Sequence, residues 1–148
     1  MEYPQSNTAQ PIIPPIPNTI RLYSPAQIGW AAALGGPMSG CIVLMRNFQA
    51  LREKKAAIQT LLWGGIGSLL VIYLILWLKD LRWILIANAL IAVGIYFVAN
   101  ALQGMRYQVH LAHGGTRHSP WTLVGDCLFG LVSTLVIGVL YVVARVIS

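Results

Sequence analysis

Four stretches of this chain, at about 25–45, 57–78, 83–102 and 122–143, stay apolar for roughly the 20 residues that a helix needs to cross a bilayer. Only 9% of the 148 residues are charged, against roughly a quarter in an ordinary soluble domain, and the mean hydropathy is +0.68. The sequence therefore reads as all-α: an integral membrane bundle of four transmembrane helices, residues 25–148, behind a proline-rich extended tail, residues 1–24. In the tail, Pro4, Pro11, Pro14, Pro15 and Pro17 oppose helix and sheet and favour extended polyproline II. It has neither the basic nor the apolar region of a cleavable signal, so the first span is expected to direct insertion.

Local signals mark the ends of the spans. Ser24 as N-cap, Pro25 at the first helical position and Gln27 two further on form a capping box, with Tyr23 placed to pack on Ile28. Trp77 and Trp83 bracket the second connection, and Tyr107 and Trp121 the third, as aromatic rings do at the membrane–water boundary.

A formal charge of +6 could signify nucleic acid, but the basic residues lie between apolar runs, so anionic lipid headgroups are the expected partner and nucleic acid is not. If each span crosses once, both termini share a side with Arg21, Lys79, Arg82 and Arg145, while Arg46, Arg52, Lys54, Lys55, Arg106 and Arg117 lie on the other. The positive-inside rule then puts connections 46–56 and 103–121 in the cytoplasm and both termini outside.

Residues four apart share a helical face, and small ones let helices approach closely. Ala32, Gly36 and Gly40 make such a stripe in the first span and Gly130, Thr134 and Gly138 in the fourth, with Gly64 and Ser68 a shorter version in the second. Gly35-Gly36-Pro37 interrupts the first span: Pro37 removes a backbone donor and crowds the Ala33 carbonyl, so a kinked first helix is expected. Such a kink is either a packing surface or a break that offers carbonyls to a site, as in transporters built from half-helices. No second broken span mirrors it.

Asp126 is the only acidic residue inside a span, one turn below Trp121 and four residues before Gly130. Counting depth from the span ends puts Ser39, Arg46, Asn47, Asn100, Gln103 and Arg106 on its level, a possible intramembrane polar cluster. Asp126 could pair with Arg46 or Arg106 as a structural ion pair, or lie on an ion or proton path.

Catalytic and metal constellations are not found. His110, His113 and His118 surround the third connection without a cysteine or carboxylate to complete a ligand set, and read as a solvated loop near the headgroups. Ser39-Gly40 lacks the preceding glycine of an intramembrane serine protease, since Pro37 occupies that place. Cys41 and Cys127, both in apolar segments, read as buried free thiols. The expectation is no enzyme, no cofactor and no metal.

Tyr-Ser-Pro-x-Gln-Ile at Tyr23 to Ile28, Gly-Gly-Pro at Gly35 to Pro37, Asn47, and Gly114-Gly115 followed by Ser119-Pro120-Trp121 resemble a family of small bacterial multi-spanning proteins. The resemblance covers most of the chain after the tail. It implies a bacterial inner-membrane protein, and it transfers no catalytic residue. Two functions remain open: a non-catalytic bundle that binds another membrane protein, as accessory subunit or immunity protein, or an oligomeric ion or proton channel or transport component using Asp126. Homo-oligomerisation fits either.

Overall fold

The structure, a computed structural model, describes residues 20–78 and 80–147. It is all-α apart from one short strand pair. The helices are α1 (Pro25–Ala50), α2 (Lys54–Leu78), α3 (Leu81–Ala112) and α4 (Pro120–Ile147), and each is long and apolar enough to cross a membrane. Strands β1 (Arg21–Leu22) and β2 (Thr116–Arg117) pair in parallel, Arg21 opposite Thr116. The helices outrun the apolar spans. At 1.5 Å per residue α3 is about 48 Å long, so its polar end, Gln103 to Ala112, carries on beyond a hydrocarbon core of roughly 30 Å.

The capping box forms as the sequence requires: the Gln27 amide donates to Ser24 Oγ at 3.1 Å, and the Ser24 amide to Gln27 Oε1 at 3.0 Å. Tyr23 and Ile28 are both fully buried in the core. Leu22 and Tyr23 thus belong to the packed fold, not to an extended tail; residues 1–19, with their prolines, lie outside the described residues.

The kink in α1 is a reversal. Gly36 has φ 79° and ψ −179°, a conformation almost confined to glycine. It ends one helical arm, and Pro37, suited to a first helical position, starts the next. Asn47 then meets Tyr23: the Tyr23 amide donates to Asn47 Oδ1 at 2.8 Å, and Asn47 Nδ2 donates to the Tyr23 carbonyl at 2.8 Å. In a straight helix these residues would stand about 36 Å apart. The register on α3 agrees. Gly29 faces Tyr96 and the Ala33 carbonyl is bonded by Asn88, so the first arm descends α3; Gly40 faces Ile95 and Asn47 bonds Gln103, so the second arm returns.

This hairpin is the centre of the molecule. In its most apolar window α1 is 61% buried, against 11%, 11% and 6% for α2, α3 and α4, because the other three helices pack around it and much less on each other. Their outward faces carry Leu, Ile, Val and Phe side chains that suit lipid. A backbone break at membrane depth is tolerated only where protein covers it. Here the Ala33 carbonyl, which Pro37 cannot bond, accepts from Asn88 Nδ2 at 3.0 Å, and Ser39 Oγ lies 2.8 Å from the Gly35 carbonyl.

The small residues have distinct duties that one stripe does not describe. Ala32 and Gly40 touch across the elbow, where a Cβ on Gly40 would lie 2.6 Å from that of Ala32. Gly36 has no neighbour within 4 Å of such a Cβ, so it supplies a conformation and no contact. Gly35 and Gly130 both close on Ser39, the Gly130 position coming within 2.5 Å of its Cα. A Cβ on Gly64 would lie 2.7 Å from that of Cys41, whereas one on Gly138 would make only an ordinary contact with Ile72 at 3.6 Å. Thr134 Oγ1 donates to the Gly130 carbonyl at 2.9 Å, and Ser68 is buried with its hydroxyl unpaired.

Candidate functional site

The polar groups gather at the end of the bundle where both arms of α1, the start of α4 and the end of α3 converge. Asp126, 3% exposed, holds Arg46 with Oδ1 at 2.7 Å, while Tyr23 Oη donates to Oδ2 at 2.7 Å. Both carboxylate oxygens are thereby engaged. Tyr23 is the hub: its backbone is held by Asn47, its hydroxyl by Asp126, and its ring is stacked on His118 at 4.1 Å between centroids. Asn47 also donates to Gln103 Oε1 at 2.8 Å, which ties the pair to α3. Gln27 Nε2 reaches the His118 carbonyl at 3.2 Å, and the His118 amide donates to the Leu22 carbonyl at 3.1 Å.

The arrangement is a clasp that closes the hairpin. The Arg46 side chain remains 48% exposed, so the guanidinium reaches water while its partner is buried, which keeps the desolvation cost of the pair low.

Of the residues expected at this depth, Arg46 joins Asp126 directly and Asn47 and Gln103 join it through Tyr23, and three others do not. Ser39 lies deeper, with its hydroxyl 3.1 Å from the Cys127 carbonyl, because the elbow carries it down the bundle. Arg106 pairs with Glu53 just before α2, since α3 packs on α1 and α2 and scarcely on α4. Asn100 is exposed and packs against Gly104 on its own helix. The histidines also differ from a solvated loop. His110 is on α3, 1% exposed, and its Nε2 donates to the Ile20 carbonyl at 2.9 Å; His118 is partly covered by Tyr23, and only His113 is exposed. Cys41 is buried and Cys127 half-buried, both free.

The sequence reading does not mark Tyr23, His118, Asn88 and Glu53 as polar partners, nor the bond of Gln27 to the His118 carbonyl beside its foreseen capping of Ser24. Asn88 carried a readable signal, a lone amide within the third apolar span. The others reach their partners only through the reversal of α1.

Burial lowers the His118 imidazole below its ordinary 6.5; Asp126 opposes that shift, and Arg21 and Arg46 reinforce it. The unfolded chain therefore takes up a proton more readily than the folded one, so stability is full above the unfolded value and falls as pH drops below about 6.5. Thermal unfolding in detergent between pH 8 and pH 5 should show this loss, and His118→Phe, which keeps the stacking, should flatten it.

No family model, curated protein or solved structure matches the chain.

Proposed function

We propose that the protein is a non-catalytic, multi-pass component of the bacterial inner membrane that acts by binding another membrane protein, in an accessory or immunity-type role. One observation favours this over the channel alternative: Asp126, the acid within α4, has both oxygens engaged, by Arg46 and by Tyr23. A conducting or proton-transferring carboxylate needs a face free to exchange, and this one holds a hairpin shut. The channel reading is tested on the same residue. Wild-type protein in liposomes should pass no ions or protons, and Asp126→Asn should cost modest stability, because Arg46 already reaches water. Flux through the wild type that a folded Asp126→Asn variant lacks would establish the channel alternative. Affinity purification from native membranes should recover a stoichiometric membrane-protein partner, and recovery of the chain alone would count against the binding role.

The proposal includes a topology. α1 enters and leaves the membrane on one side, and α2, α3 and α4 cross it. Ile20 and Ile147, the ends of the described residues, then lie on opposite sides, unlike the arrangement with four single crossings. Arg21, Arg46, Arg52, Lys54, Lys55, Arg106 and Arg117 fall together at the clasp end, with Arg82 and Arg145 at the other, and the sequence assigns Lys79 to the same connection as Arg82. That asymmetry exceeds the six against four of the sequence reading and argues for a cytoplasmic clasp. A cysteine at Arg21, in a background without Cys41 and Cys127, should react with an impermeant maleimide only after the cytoplasmic face is opened. Labelling of intact cells would place the N-terminal residues outside instead.

A further inference from the structure

A groove of about 650 Å³ runs between the second arm of α1, α2 and α3, within the roughly 300–1,000 Å³ of ligand pockets. It is formed because the hairpin keeps α2 and α3 apart: each packs on α1 and scarcely on the other. Its walls are mostly apolar, from Pro37, Leu44, Phe48, Trp63, Ile91 and Val98, with Gln59 and Thr60 on α2 as the polar exceptions, the Thr60 hydroxyl turned onto the Ala56 carbonyl of its own helix. Its mouth is not apolar. Glu53 and Arg106 line the end nearest the clasp, and Arg52, Lys54 and Lys55 flank Glu53 in a shallow adjoining depression.

The charges at the mouth are unequal. Glu53 engages Arg106, which leaves Arg52, Lys54 and Lys55 facing solvent without a carboxylate among the described ion pairs. From Arg106 to Ile91 the groove follows α3 for about 22 Å, somewhat more than one leaflet of a roughly 30 Å core. A cationic mouth at the interface over an apolar slot of leaflet depth has the polarity of one amphiphile, anionic at the head and hydrocarbon below.

We propose that this groove is a binding site for a membrane lipid with an anionic phosphate headgroup, the headgroup held by Arg52, Lys54 and Lys55 and one acyl chain lying along Phe48, Trp63 and Val98. A free anion would leave the apolar walls without a partner, and an uncharged lipid would leave the three cations without one. The inference rests on α2 and α3 lying in the membrane, and not on the identity of any protein partner or on which face is cytoplasmic.

Trp63 lines the groove and is a reporter for it. In a variant with Trp30, Trp77, Trp83 and Trp121 changed to Phe, reconstituted in phosphatidylcholine vesicles, chain-brominated phosphatidylglycerol should quench Trp63 at a severalfold lower mole fraction than chain-brominated phosphatidylcholine. Arg52→Gln, Lys54→Gln and Lys55→Gln together should abolish that preference. Val98→Phe leaves the cations in place but narrows the slot, and should weaken the preference in a protein whose helicity is unchanged. Equal quenching by the two lipids in the parent would overturn the site. A preference that survives Val98→Phe undiminished would show that the lipid is drawn to the charged rim without entering the groove, and would overturn it equally.

Discussion

Asn47→Ala should unfasten the hairpin and lower stability by about 3 kcal/mol or more, a large part of the total for a domain of this size. The side chain makes three hydrogen bonds, two to the backbone of Tyr23 and one to Gln103. All three residues are buried, so alanine would leave the Tyr23 amide, the Tyr23 carbonyl and Gln103 Oε1 without water to replace it. Each orphaned group costs on the order of 1–3 kcal/mol. Asn100→Ala provides the control, since that amide is exposed and should change stability by no more than about 0.5 kcal/mol. Thermal unfolding of the detergent-solubilised variants measures both. Equal losses would mean that Asn47 does not hold the two ends of α1 together.

Gly130→Leu should be nearly as damaging. A Cβ at this position already falls within 2.5 Å of the Ser39 Cα, which is backbone and cannot swing aside. To admit leucine, α4 would have to move off the elbow and give up the contact between Ser39 Oγ and the Cys127 carbonyl. Overpacking of this kind costs about 1–3 kcal/mol, and more where backbone must yield. The same substitution at Gly125, on the same helix, meets nothing within 4 Å and should be tolerated; at Gly138, whose nearest neighbour is the flexible end of Ile72, it should fall between. A ranking by helical stripe, with Gly138 as sensitive as Gly130, would contradict the observed packing.

These two residues show how far the sequence could be read. The four apolar helices were legible because the bilayer leaves a chain few choices, and the capping box at Ser24 and Gln27 was legible because it is local. The stop at Gly36 and the start at Pro37 were equally local, and a break followed from them. The angle did not. Whether two arms continue, bend or double back depends on partners remote in sequence, here Asn47 on Tyr23 and Asn88 on the Ala33 carbonyl. Without the reversal, depth counted from the ends of the spans misplaces Ser39, which the elbow lowers, whereas Arg46, Asn47 and Gln103 lie near the end where that count puts them. The reach of α3 to Ala112 was hidden for another reason. Hydropathy ends where the membrane does, whereas the helix continues through polar residues that are good helix formers.

Asp126 was found by its charge, but its role depends on Tyr23, which local pattern presented only as a hydrophobic staple. A tyrosine can do both because its ring packs while its hydroxyl bonds. The clasp therefore joins a signal visible in the sequence to one that appears only when residues 23 and 126 meet.

The distance between the ends of α1 tests the reversal most directly. Ala26 and Gln49 are exposed and can carry spin labels after Cys41→Ala and Cys127→Ala. In bilayer nanodiscs, pulsed dipolar spectroscopy should give a narrow distribution at roughly 20 Å or less, as a folded-back hairpin requires. A distribution centred near 35 Å, the length of a helix running straight through Gly36, would contradict the account.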